Sequence, residues 1–158
     1  MSASLAKLMG ADQQLRIDWE QLDPWTKNQL ETVLQYCQQH GWQLKNVSEQ
    51  QSRTLDSILG VWQITFESHN KLKTAWVISG DLPTEIISFN NIPTARDALL
   101  HFSRKYLNKA QLMKRHSFDT DEQRELSEQD QLKMQKLVKA AADLLVLYHE
   151  DNVWNDKQ

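Results

Sequence analysis

The sequence predicts an α+β domain, a small antiparallel sheet of three to four strands with helices packed over one face. Three observations carry that expectation. Apolar residues alternate with a period of two from Gly60 to Ile78. Two later stretches, Ala95 to Met113 and Met134 to Tyr148, repeat every three to four residues instead. Turn and cap residues stand where the period changes, at Asp23-Pro24, Gly41, Gly80-Asp81 and Asn90-Asn91-Ile92-Pro93. Helix, strands, long helix, helix is the order of an α+β fold.

A chain of 158 residues folding as one domain buries roughly 70% of its unfolded surface. Only 4 Gly and 3 Pro leave little room for linkers. The N-terminal ten residues lack the charged start and long apolar core of a signal peptide, and no run approaches the roughly 18 apolar residues that span a membrane. A cytoplasmic protein with no membrane partner is therefore expected. The net charge of -3 argues against a nucleic-acid partner.

Residues 1–22 carry Leu5, Leu8, Leu15, Ile17 and Trp19 without a period and read as a partly ordered arm. The domain proper is expected over residues 23–149. Asp23 can cap the first helix, and Pro24 suits its first position because that N–H has no partner in any helix. Trp25, Leu30, Val33, Leu34 and Cys37 follow on one face, and Gly41 supplies a left-handed terminus. Residues 42–59 read as a short strand followed by an irregular or single-turn link.

Trp62, Ile64 and Phe66 form one face of the next strand. If Leu72, Trp76 and Ile78 share that face, Phe66 pairs with Leu72, Ile64 with Thr74 and Trp62 with Trp76, around a three-residue loop of Ser68-His69-Asn70. Gly80-Asp81 ends the return strand, and Thr84 to Phe89 reads as a third. Thr94 with Asp97 resembles a capping box. The helix after it has a stripe at Ala95, Leu99, Phe102, Tyr106, Ala110 and Met113, widened by Leu100 and Leu107 toward a second neighbour. The last helix starts near Ser127 and runs to Tyr148, with Met134, Leu137, Val138, Ala141, Leu144 and Leu145 on its stripe. Residues 150–158 are expected to fray, with Val153 and Trp154 able to dock.

Chemistry-bearing patterns are sparse. The five His residues are scattered without ligand spacing, and no phosphate loop, nucleophile elbow or dinucleotide fingerprint occurs, so neither metal nor cofactor is expected. Cys37 lies on an apolar stripe and reads as a small buried hydrophobe rather than a nucleophile. Asp81 could orient a ligand beside Trp76, but an Asp in a Gly-Asp turn ordinarily bonds its own backbone. Charge is segregated: residues 93–116 hold Arg96, Arg104, Lys105, Lys109, Lys114 and Arg115 against Asp97, a local +5. Residues 119–130 carry a local -5, and the two blocks can neutralise each other or leave the basic face for an acidic partner.

The run Trp76-Val77-Ile78-Ser79-Gly80-Asp81-Leu82-Pro83-Thr84, followed by Ala95-Arg96-Asp97-Ala98-Leu99-Leu100-His101-Phe102-Ser103, resembles a family of small bacterial proteins known as a domain of unknown function. Glu85 replaces the family's Asp and Tyr106 its Trp. The resemblance implies a bacterial cytosolic setting and brings no catalytic residue. The residues favour a non-enzymatic protein-binding module, chaperone-like or immunity-type, in which exposed members of the six Trp would serve as hot spots. Arg96, Arg104 and Lys105 would hold the protein partner, and homo-oligomerisation stays open. The opposing expectation is an enzyme or ligand binder with a pocket of Trp62, Trp76, Asp81, Arg96 and His101.

Overall fold

The structure, a computed structural model, describes residues 22–55, 57–119 and 127–155. Residues 1–21 of the expected arm lie outside the described residues. The chain divides after Ala98 into two compact units.

The first unit opens with helix α1 (Pro24–Gln39). Asp23 caps it, its carboxylate accepting the Thr26 N–H at 2.7 Å, and the helix N-terminus holds that carboxyl below the usual carboxylate range, chiefly through this bond. Gly41 follows at φ +75°, the left-handed terminus expected of it. Strands β1 (Gln43–Val47), β2 (Arg53–Leu55), β3 (Leu59–Ser68), β4 (Lys71–Gly80) and β5 (Glu85–Ser88) form one antiparallel sheet. Its order is β1-β3-β4-β5, with β2 paired to β3 as well.

Five strands exceed the expected three to four because the 42–59 stretch contributes two. Both pair with β3, and two serines bridge the gap between them: the Gln63 N–H donates to Ser52 Oγ at 3.0 Å, and the Ser48 N–H donates to the Gln63 carbonyl at 2.8 Å. Side chains and turn backbone thus satisfy the β3 peptide groups where the ladder is interrupted. Such polar substitutes leave no apolar period to read.

The β3–β4 hairpin also departs from expectation. Ser68 pairs with Lys71, Phe66 with Lys73, Ile64 with Ala75 and Trp62 with Val77, around a two-residue loop of His69-Asn70. Both loop residues have positive φ, 52° and 62°, as a type I′ turn demands. Leu72, expected opposite Phe66, faces Glu67 and is 67% exposed. The physical reason is burial on both faces. Trp62, Ile64, Phe66, Ala75 and Val77 pack with Leu30, Val33, Leu34 and Cys37 of α1, while Val61, Trp76 and Ile78 are buried on the opposite face. Period-two alternation fixes register only when one face is wet. Each fully buried aliphatic in the α1 layer contributes about 1.5–3 kcal/mol.

Helix α2 (Ala95–Asp119) begins at Thr94, whose hydroxyl accepts the Asp97 N–H at 3.1 Å and donates to the Asp97 carboxylate at 2.8 Å. The second unit holds the rest of α2, helix α3 (Glu128–His149) and helix α4 (Asp151–Asn155). Ser127 caps α3 through the Asp130 N–H at 3.1 Å. Residues 151–155, in the tail expected to fray but for a docked Val153 and Trp154, form that short helix, in which Trp154 is buried and its indole N–H donates to the Leu147 carbonyl at 2.9 Å.

Candidate functional site

The expected pocket residues separate in the structure. Trp76 is fully buried, and its indole N–H donates to the Ile92 carbonyl at 2.9 Å. Trp62 is buried on the opposite face, donating to Ser79 Oγ at 2.9 Å. Asp81 is exposed on the turn after β4, where its N–H donates to the Ile58 carbonyl at 3.2 Å. Arg96 and His101 are half-buried on α2, turned from each other by about 140° at 100° per residue. Neither indole is open to a ligand. Of the five Trp among the described residues, Trp62, Trp76 and Trp154 are buried and Trp25 and Trp42 half-buried, so none forms the exposed hot spot that the sequence suggested.

Cys37 is fully buried, and burial pushes its thiol up to about 12. At neutral pH it is a thiol and packs as a hydrophobe. Tyr36 beside it is likewise raised to about 12, first by burial and then by the charge of Glu85. Among the described residues no three His, Cys, Asp or Glu side chains come together as a metal site.

A groove appears where the sequence placed only a stripe. Helices α2 and α3 run antiparallel, pinned where the buried Ser103 hydroxyl donates to the Ala141 carbonyl at 2.8 Å. Leu99, Phe102, Tyr106 and Ala110 of α2 and Leu137, Ala140, Ala141 and Leu144 of α3 are buried. Beside that seam opens a trough of about 510 Å³, lined by Leu107, Ala110, Gln111 and Lys114 from α2 and Met134, Gln135, Val138 and Lys139 from α3. Its floor is apolar. Leu107 is 36% exposed and Val138 47% exposed.

The widened stripe of the long helix was the signal for this groove, since Leu107 lies off the buried face and at its lip. Val138 is a correction. Expected on the core stripe, it sits about 100° from the buried Leu137, which turns it toward water. Gln111, Gln135 and Lys139 were missed, as polar residues on a helix flank carry no sequence signal.

Helical rotation also sorts the basic residues. Measured from Leu107, Arg96, Arg104 and Lys114 fall within about 60°, whereas His101, Lys105 and Lys109 lie about 120° or more away. Arg96, Arg104 and Lys105 therefore do not form one surface on α2. The acidic block of residues 119–130 lies outside the described residues except for Glu128 and Asp130, both exposed, and the helical backbone of Asp119.

Residues 20–154 match the model of a family described as Domain of unknown function (DUF4826). No curated protein and no solved structure matches the chain. No helix among the described residues is long and apolar enough to cross a membrane.

Proposed function

We propose that this chain, which belongs to the DUF4826 family, is a non-enzymatic interaction protein of the bacterial cytoplasm that docks a protein partner in the groove between α2 and α3. The observation that carries this reading is the groove's apolar lining: Leu107 and Val138 stay exposed although a helix seam lies alongside. An apolar trough rimmed by polar side chains is the anatomy of a protein-binding surface. It is open along its length, unlike a small-molecule site that encloses most of its ligand. A chaperone-like or immunity-type role would use this same face.

The test is capture from native extract by wild-type chain and by the Leu107→Asp/Val138→Asp variant. Both positions are partly exposed, so the variant keeps its helical signal. One stoichiometric protein partner, at least about thirtyfold depleted in the variant, is expected for loss of a hot spot worth 2 kcal/mol or more. Equal capture by both overturns the reading.

A further inference from the structure

We infer that Lys71 and Lys73 keep an open sheet edge from pairing with a second copy of this chain. Strand β4 runs past its neighbour: β5 pairs with residues 75–78, and among the described residues no strand lies beside residues 71–74 on that side. The chain turns away after Ser88, whose hydroxyl accepts the Asn90 N–H at 3.1 Å.

The hydrogen-bond phase of the hairpin decides which peptide groups are left open. A two-residue loop is closed by a pair that exchanges both bonds, here Ser68 with Lys71, and every second pair does so after it. Lys73, opposite Phe66, therefore spends its peptide groups on β3, whereas Leu72 and Thr74 turn theirs to the open side. Gln63 shows the same phase on the other strand, since its N–H donates to Ser52 and its carbonyl accepts from Ser48, both away from β4. With Leu72 67% exposed among them, these groups are a short template for another strand.

What opposes such pairing is charge. Lys71 and Lys73 are exposed, and among the described residues neither forms an ion pair. Glu67, across the ladder from Leu72, faces the other side of the sheet and pairs with Lys45 at 3.4 Å. Two copies related by a two-fold axis would join these edges antiparallel, residue i of each meeting residue j of the other. Centred on Lys71, the contact sets Lys71 against Lys71; centred on Leu72, it sets each Lys71 against the other copy's Lys73; centred on Lys73, it sets Lys73 against Lys73. Farther along, Ser88 already fills the place opposite Ala75. Each encounter falls at a pair without hydrogen bonds, where Cα atoms approach to about 4.5 Å, and like charges directly opposite destabilise.

Sedimentation equilibrium of the full chain at low salt tests this. Lys71→Thr/Lys73→Thr should self-associate at least about tenfold more tightly than wild type, the effect of removing two like-charge pairs. Adding Leu72→Pro should cancel that gain, because the Leu72 N–H faces the open side and is not used by β3. Lys71→Glu/Lys73→Glu should associate no more than wild type, yet form a one-to-one complex when mixed with it, since every register then sets lysine against glutamate. The mixture does not depend on the proline variant folding, and any contact through the groove between α2 and α3 is common to all these chains. A threonine variant that associates no more than wild type, a gain that survives Leu72→Pro, or a mixture without a complex would overturn the inference.

Discussion

Trp76, beside which Asp81 was expected to orient a ligand, is fully buried, with its indole N–H given to the Ile92 carbonyl. So is the run that follows it. Val77 packs in the α1 layer, Ile78 on the opposite face, and Ser79 accepts the Trp62 indole N–H. Gly80 has φ +138°, and a Cβ there would stand 2.5 Å from the Ile58 carbonyl oxygen. Gly60 serves the same corner, since a Cβ on it would meet the Trp62 ring at 2.4 Å. Trp76→Phe leaves the buried Ile92 carbonyl without its donor and should cost about 1–3 kcal/mol in denaturant unfolding. Partner capture should be unchanged, whereas a ligand role for Trp76 would show as lost binding at unchanged stability.

Asp23 gives a second residue-scale prediction. Its carboxyl titrates lower in the fold than in the unfolded chain, so its stabilisation is complete above the ordinary carboxylate range and is lost as pH falls through the folded value. Asp23→Asn keeps a capping oxygen without the titration. The stability advantage of wild type over this variant should fade as pH falls through and below the ordinary carboxylate range; a constant advantage would contradict the assignment. At this scale the caps were legible, because Asp-Pro, Gly41 and Thr94 act through local backbone geometry. The employment of Trp76 was not, since its acceptor, Ile92, sits on a loop that no periodicity locates.

Among elements, the β3–β4 hairpin shows how local chemistry overrides pattern. His69 and Asn70 both occupy left-handed backbone, a conformation that favours Gly. Asn70→Gly should stabilise the chain by about 0.5–1 kcal/mol, read as a rise in Tm. In a three-residue loop Ser68 would lie outside the ladder and Ser68→Gly would be tolerated. With Ser68 paired to Lys71 in the ladder, that substitution should instead destabilise. The existence of these strands was legible from alternation, but their register was not, because both faces of the central pair are buried. The short strand expected after Gly41 is β1, and its bounds were obscured for a different reason. Lys45 forms a bulge between Leu44 and Asn46, shifting the pairing with β3 and breaking the period that would have marked the strand.

For the molecule as a whole, the sequence announced its α+β class through changes of period, and the groove between α2 and α3 only through surplus. Leu100 and Leu107 widened a stripe beyond what one neighbour needs, and basic residues collected on the same helix. What remained hidden was the second wall, because Val138 reads as core until the packing angle of α3 is known. The central claim is that this groove, rather than the Trp76–Asp81 corner, receives a protein. It is tested most directly by placing a photo-crosslinking residue at Gln135, inside the groove, and in parallel at Lys73 on the exposed part of β4, then irradiating in native extract. The account predicts one protein adduct from position 135 and none from 73, lost when Leu107 and Val138 are both Asp. Equal adducts from the two positions, or an adduct at 135 that survives those substitutions, would contradict it.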